Sequence, residues 1–336
     1  MYDYVVMLQR RTSLTSLASL FGLVAITTLG AGCATEVPDD GDGVTLEGLT
    51  EGDAEREAAR ALAEADATGR DFEGDEGKTS AGGGSGIGAQ SLDLTGDLGS
   101  GTWAYDFRVT TDGRTSTTVG SSRRDARMMG ASTHKLFTGF AAFANKTVEA
   151  STLTYMLRTS NNQLANFAMC KNGVALGRYS ATCKSVTTAT AAMKMPDAIR
   201  ETFEWHREQG ENLSSTLTMT DGSGLNTTNV LTVGDLVEVL MAGRRHARYS
   251  EWKKMLAQPG VSSTLRSRFS GYEGKLYAKT GTYHQDGGGV KSLAGYVELG
   301  GGRTLVFAVV GNGVGDANAA MGRIEKSVKK AVEEAR

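Results

Sequence analysis

Hydrophobic and polar positions along the chain fall into distinct regimes, and each predicts a different kind of structure. Leu14 to Leu29 is an apolar stretch interrupted by Ser and Thr. Ala34 to about Ser100 follows neither the helix nor the strand period. It is rich in Gly, Asp, Glu, Ala and Ser and almost free of aromatic residues, so it cannot bury enough apolar surface to offset its chain entropy. A tether is predicted there, with at most a transient helix over 54–66, whose apolar face is nearly all alanine, and a flexible joint at Gly82-Gly-Gly-Ser-Gly86.

From Thr102 the pattern becomes that of a folded domain. Thr102 to Thr110 and Ser116 to Ser121 carry strand-favouring Trp, Tyr, Phe, Val and Thr, with Asp112-Gly113 between them, and predict a hairpin. Helical spacing of Leu136, Phe137, Phe140, Ala141 and Ala144 then places a helix over 132–145, with Ser132 in its first turn. Short helices are expected over 153–157 and 164–169, and another over 196–209. Thr232 reads as the cap of a helix reaching Arg244, whose apolar face is Val233, Leu236, Val237, Leu240 and Met241.

After Gly274 the strand period returns over 276–283, 290–299 and 304–310. The intervening Gly287-Gly-Gly289 and Gly300-Gly-Gly302 loops are short enough to imply antiparallel neighbours. A last helix over 318–334 turns Met321, Ile324, Val328, Ala331 and Val332 to one side. Gly311-Asn-Gly-Val-Gly315 has the look of a dinucleotide loop, but its third glycine comes one residue early and no strand follows it, so it reads as a strand-to-helix turn. Strands at both ends of the domain thus bracket a helical middle, an α+β arrangement.

Composition adds an asymmetry to this picture. The 336 residues carry a formal net charge of −2, yet 36–78 holds 15 acidic against 4 basic residues, whereas 101–336 is basic. No zinc spacing or aromatic-rich basic stripe accompanies those cations, so they are read as a solvated surface, with no nucleic-acid partner and no metal or other cofactor. Arg10-Arg11, the apolar stretch and the small residues after it make 1–33 a signal segment that directs export to the periplasm or cell envelope. Leu29-Gly-Ala-Gly-Cys33 resembles a bacterial lipobox, which marks Cys33 as a lipidation site and a membrane anchor. The expected organisation is therefore 1–33 signal, 34–100 tether and 101–336 folded domain. Cys170 and Cys183 either pair in the oxidising compartment or remain buried thiols.

Three short motifs carry the chemistry: Ser132-Thr-His-Lys135, Ser160-Asn-Asn162 and Lys279-Thr-Gly281. Three residues apart at a helix start, Ser132 and Lys135 project from one face, so the amine can activate the hydroxyl once burial or a nearby cation lowers its pKa. Lys279 is a candidate for that cation. A helix start also aims free N–H groups at an oxyanion beside Ser132. On the third motif's strand, Gly281 permits close approach and leaves the Thr282 N–H for the same oxyanion, with Lys279, Thr280 and Thr282 meeting a carboxylate. Taken singly the motifs are cheap, since Ser-x-x-Lys recurs at Ser327 to Lys330 on the last helix. Their order, on a helix, a loop and a strand, is what points to an acyl-transfer enzyme. His134, His206, His246 and His284 supply no serine triad.

With those motifs in place, the chain resembles the penicillin-binding proteins of the D-alanyl-D-alanine carboxypeptidase kind, closest to the class C low-molecular-mass enzymes. Further matching text is Gly130-Ala-Ser-Thr-His-Lys-Leu-Phe-Thr138, Met156-Leu-Arg-Thr-Ser-Asn-Asn162, Thr220-Asp-Gly-Ser-Gly-Leu225 and Gly289-Val-Lys-Ser-Leu-Ala-Gly-Tyr-Val297. The resemblance implies a β-lactamase-like fold, with a sheet of about five strands flanked by the terminal helices and a helical subdomain. It implies Ser132 as the acylated nucleophile, Lys135 as its base, Ser160 as a proton relay, Asn162 as a substrate-amide ligand that steadies Lys135, and Lys279, Thr280 and Thr282 as carboxylate ligands. The implied partners are a peptidoglycan peptide and β-lactam antibiotics. Two departures stand out: only about 25 residues separate Lys135 from Ser160, so the helical roof must be reduced or rerouted after Ser160, and Gln163-Leu-Ala-Asn166 lacks the family's acidic residue. The competing readings are a β-lactamase and a weakly catalytic or non-catalytic cell-wall-binding lipoprotein.

Overall fold

The computed structural model describes residues 92–178, 183, 194–284 and 288–336. The signal segment 1–33 with Cys33, and the tether up to 91, lie outside the described residues. Residues 92–100, expected to belong to that tether, are instead part of the folded domain. Leu94 and Leu98, on either end of a one-turn helix α1 (Thr95–Leu98), have no exposed surface, and the Tyr105 hydroxyl accepts the Leu94 N–H at 2.9 Å. The glycines and aspartates of this stretch dominate its composition, but its leucines are what fold it.

Five strands form one antiparallel sheet in the order β2-β1-β5-β4-β3: β1 (Thr102–Thr110), β2 (Thr117–Ser122), β3 (Leu276–Tyr283), β4 (Gly289–Gly300) and β5 (Arg303–Val314). The sheet is covered on both faces, and the period of two sorts its residues between them. On central β5, Val306, Ala308 and Val310 join the core under the helical middle, while Leu305, Phe307 and Val309 pack with Met321, Ile324 and Val328 of the C-terminal helix α8 (Ala317–Glu334). That two-sided burial is why β5 reads as a continuous apolar run. It also runs past the predicted end, so Gly311 to Val314 are still strand and only Gly315 lies in the turn to α8. Gly311 must lack a side chain because a Cβ there would meet the Trp103 ring at 2.5 Å.

The helical middle comprises α2 (Lys135–Asn145), α3 (Ala150–Thr159), α4 (Asn162–Leu176), α5 (Met195–Glu208), α6 (Val233–Arg245) and α7 (Tyr249–Met255). Thr232 caps α6 with a full capping box, its hydroxyl accepting the Asp235 N–H at 3.0 Å while Asp235 accepts the Thr232 N–H at 2.8 Å. Helix α7 is too short and too charged for periodicity to reveal it. It forms around the fully buried Trp252, which donates to the Tyr296 hydroxyl at 3.1 Å, and Tyr296 in turn donates to the Leu240 carbonyl at 2.7 Å. This buried chain ties α7, β4 and α6 together.

The connection between α2 and α4 is short, and helices α4 and α5, after Ser160, pack against each other and against α2. Cys170 on α4 is disulfide-bonded to Cys183, with 5.9 Å between their Cα atoms. The aromatic face of α2 seats in this layer: Phe137 meets Phe203 edge to face at 5.9 Å and Phe140 lies 5.3 Å from Trp252. His206, which has no telling neighbour in sequence, is buried between Glu211 (2.9 Å) and the Phe137 carbonyl (3.0 Å), so it anchors α5 to α2.

Candidate active site

Ser132 does not sit on the α-helix itself but on a 3-10 turn (Ala131–His134) that leads into α2. The turn is entered through Ala131, held in the left-handed region at φ 47°, and it is pinned to the sheet by Ser292 of β4, whose hydroxyl donates to the Gly130 carbonyl at 2.7 Å. Next to it runs β3. A Cβ built on Gly281 would clash with the Ser292 hydroxyl and stand 2.6 Å from the Gly130 carbonyl and 3.2 Å from the Ser132 nitrogen. The missing side chain is therefore what lets this strand lie against the nucleophile's backbone.

Lys135 is fully buried, and its amine is surrounded on three sides: Ser132 Oγ at 2.8 Å, Asn162 Oδ1 at 2.6 Å and the Ser223 carbonyl at 2.9 Å. Burial lowers its pKa to about 7, against a smaller opposing pull from Asp221. His134, inside the same motif, is also buried. Its pKa falls to about 4, chiefly through loss of solvent, so it is neutral and its Nδ1 donates to the Ala131 carbonyl at 3.0 Å.

The second motif occupies the joint between α3 and α4. Ser160 ends α3 in the left-handed conformation, at φ 65°, Asn161 caps α4 by accepting the Leu164 N–H at 2.9 Å, and Asn162 opens α4. That geometry turns Ser160 toward β3 and Asn162 toward α2. Lys279 of β3 donates to Ser160 Oγ at 2.7 Å and to the Thr280 carbonyl at 2.8 Å. It has no exposed surface, and burial first, then the charges of Lys135 and Lys291, hold its pKa well below the usual lysine range. The strand period puts Lys279 and Gly281 on the face toward the helical middle and Thr280 and Thr282 on the other. Thr280 Oγ1 donates to Thr264 Oγ1 at 2.9 Å, and Thr282 Oγ1 accepts from Lys291 Nζ at 2.7 Å.

Sequence reasoning gave no chemical step to Asp221-Gly-Ser-Gly224, yet this loop supplies the third partner of Lys135. Asp221 organises it, with Oδ1 accepting from the Ser223 and Gly224 N–H groups and the Ser223 hydroxyl, and Oδ2 from the Asn226 N–H and Asn229 Nδ2. Burial alone would raise its pKa, but these donors outweigh it and hold the carboxylate below its usual range. The loop fits closely against its surroundings: a Cβ on Gly224 would clash with the Ala131 carbonyl, and Thr138 of α2 donates to the Gly222 carbonyl at 2.8 Å. Asn166, where an acidic residue is expected, accepts the Gly222 N–H at 2.8 Å. A carbonyl presented by a glycine loop carries no side-chain signature, which is why the motif was legible as a loop but not as a ligand. Among the described residues, no group of three or more His, Cys, Asp or Glu is arranged to hold a metal ion.

The three motifs thus converge around Ser132, and comparisons with known proteins can be set beside that geometry. No curated protein matches the chain. Among solved structures, penicillin binding protein 4 from Haemophilus influenzae, complexed with a β-lactam, is 20% identical (TM-score 0.43), over 53% of this chain and 40% of that one. The D-alanyl-D-alanine carboxypeptidase from Mycobacterium tuberculosis H37Rv is 18% identical (TM-score 0.44), over 67% of this chain and 86% of that one. A β-lactamase from Sphaerobacter thermophilus is 16% identical (TM-score 0.47), over 72% and 98%. This chain thus spans less than half the length of the first of these proteins. The model of the D-Ala-D-Ala carboxypeptidase 3 (S13) family matches residues 150–332, from the start of α3 to near the end of α8. More than half of the chain lies within that match, and the chain belongs to the D-Ala-D-Ala carboxypeptidase 3 (S13) family.

Proposed function

We propose that this protein is a serine-type D-alanyl-D-alanine carboxypeptidase that cleaves peptidoglycan stem peptides through an acyl-enzyme on Ser132 and binds penicillin covalently. The observation that carries the reading is the set of partners around Lys135. A neutral amine has two N–H donors and one lone pair. Asn162 Oδ1 and the Ser223 carbonyl can only accept, so they take both N–H groups, which leaves the lone pair facing Ser132 Oγ 2.8 Å away. With a pKa of about 7, a large fraction of that amine is neutral at neutral pH and able to act as general base.

In this reading Ser132 Oγ attacks the carbonyl before the terminal D-alanine as Lys135 takes its proton. The oxyanion forms beside the N–H groups of Ser132 and Thr282. The proton passes through Lys135 and Ser160 to the leaving amine, with Lys279 orienting the Ser160 hydroxyl. Lys279, Thr280 and Thr282 receive the terminal carboxylate, and water then releases the acyl group. Of the two remaining readings, β-lactamase activity is disfavoured by Asp221. It is the carboxylate whose charge acts on Lys135, and it already accepts five hydrogen bonds, so it is not available to activate water. A penicilloyl adduct should therefore be long-lived. We place the domain outside the cytoplasm, following a signal segment and an acidic tether, with Cys33 as its lipid anchor. Among the described residues, no helix is long and apolar enough to cross a membrane.

Mass spectrometry after treatment with benzylpenicillin tests this directly. A single adduct on the peptide that contains Ser132, absent from Ser132→Ala, is the expected result, and the same spectrum reads the mature N-terminus and any modification of Cys33. A wild-type protein that takes no adduct, or an adduct that survives Ser132→Ala, overturns the assignment.

A further inference from the structure

The Ser132 N–H, which serves the oxyanion in the proposed reaction, belongs to the same rigid peptide plane as the Ala131 carbonyl. In a trans peptide the two point in opposite directions, so whatever fixes the carbonyl also aims the N–H. The surroundings of this plane agree. A Cβ on Gly224 would clash with the Ala131 oxygen, whereas a Cβ on Gly281 would stand 3.2 Å from the Ser132 nitrogen. The oxygen end therefore faces the 221–224 loop, and the nitrogen end faces β3, the strand that carries Thr282. Ala131 holds this orientation in the left-handed region, at φ 47°, where a residue with a Cβ stays only if its neighbours keep it there. The side chain that grips the carbonyl is His134, whose Nδ1 lies 3.0 Å from it. A carbonyl only accepts, so the single proton of the neutral imidazole sits on Nδ1. His134 has no exposed surface, and its Nε2 makes no hydrogen bond among the described residues. Burying that unpaired nitrogen carries a cost that an apolar side chain would avoid, so packing alone does not account for a histidine here.

Resting on the reading of the site given above, we propose that His134 is a positioning residue for acyl transfer, which holds the Ala131 carbonyl and so keeps the Ser132 N–H turned toward the oxyanion. It moves no proton in the reaction, because its Nδ1–H is committed to Ala131 and its Nε2 is sealed from solvent. The nucleophile, its base and the aim of one oxyanion donor then all come from the single turn Ser132-Thr-His-Lys135. Without the Nδ1–H, Ala131 is free to relax out of the left-handed region, and the peptide plane turns its N–H away from β3. The preceding carbonyl, that of Gly130, is held separately by the hydroxyls of Thr133 at 2.6 Å and Ser292 at 2.7 Å, so the turn keeps its seat on the sheet when His134 is changed. Because negative charge develops on the substrate oxygen only as the acyl bond forms, the loss falls on the acylation step and not on initial binding.

Acylation by benzylpenicillin is to be resolved into the dissociation constant of the initial complex and the first-order rate of acylation, for the wild type, His134→Leu and His134→Asn. Asparagine carries its amide nitrogen as many bonds from Cα as Nδ1 and keeps the donor, whereas leucine removes it. In His134→Leu the acylation rate should fall by about 10- to 100-fold while the dissociation constant stays within about threefold. The infrared stretch of the ester carbonyl in the penicilloyl enzyme should move to higher wavenumber as its hydrogen bonds weaken, a signature that a merely structural role would not move. His134→Asn should recover most of the rate and return the carbonyl stretch toward that of the wild type. If the acylation rate of His134→Leu is unchanged, if both variants slow equally, if the loss appears in the dissociation constant, or if the carbonyl stretch does not move, His134 does not aim the donor and the proposal is wrong. If the wild type forms no acyl-enzyme, the reading of Ser132 itself fails, which separates the two conclusions. Should His134→Leu not fold, His134→Met, also apolar and without a donor, decides by the same criteria.

Discussion

The chemistry of the site rests on the environment of a single amine. Because Lys135 must be neutral to accept the Ser132 proton and its pKa lies near 7, acylation should be lost as pH falls through about 7 and reach a plateau above it. The second-order rate of penicillin labelling from pH 5 to 9 checks the midpoint. Replacing the base, as in Lys135→Ala, should slow labelling by about 100- to 10,000-fold with Ser132 still in place. The same group links folding to pH. Its folded pKa lies below the ordinary lysine value of 10.5, so the unfolded chain binds more protons between about 7 and 10.5 and stability rises with pH through that window. The Tm of the wild type relative to Lys135→Met should accordingly increase from pH 7 to pH 10. A flat difference would mean that the buried amine is not neutral.

At the scale of elements, the site depends on how closely β3 lies against the nucleophile turn. Gly281→Ala should force the strand away from backbone atoms that cannot yield, slowing acylation by about 100-fold. Overpacking should also cost about 1–3 kcal/mol of stability, read as a lower midpoint in urea. Thr232→Ala, which breaks the capping box of α6 far from Ser132, should cost about 1 kcal/mol and leave labelling unchanged. These two substitutions touch elements that the sequence predicted well. The three β-strands after Gly274 and the Thr232 cap were legible because apolar periodicity and capping chemistry are local. What the sequence concealed is non-local. That Lys279 and Lys291 fall on different faces of the sheet follows from register, and that a glycine loop presents the Ser223 carbonyl to Lys135 follows from tertiary packing. Helix α7, held by Trp252 reaching across to Tyr296, was hidden for the same reason.

Across the whole molecule, the boundary of the domain is set by two leucines rather than by composition. A chain that starts at Leu92 should unfold at a distinctly higher temperature than one that starts at Gly101. The latter removes Leu94 and Leu98 from the core beneath α8, where each deleted leucine side chain is worth about 2–5 kcal/mol. Thermal melts of the two truncated proteins decide this, and equal midpoints would show that α1 contributes nothing. The bond between Cys170 and Cys183 closes a loop across 13 positions, and its reduction should cost about 3 kcal/mol. Because α4 carries Asn162 at its start and Cys170 at its middle, a reductant should slow penicillin labelling as well as lower the Tm.

The placement of β3 at the end of the strand order has one more consequence. Proteins ordinarily guard a sheet edge with proline, charge or a covering element, so that a neighbouring molecule cannot pair with it. Here the order ends at β3, and among the described residues the strand's outer side is bridged only at Ala278, by Ala257. From Lys279 to Tyr283 a guard of that kind would obstruct the approach to Ser132. Solubility and substrate access therefore compete for the same five residues. Resistance to self-association must come from the lysines around the strand, and substitutions that remove those lysines carry an aggregation risk separate from any loss of activity.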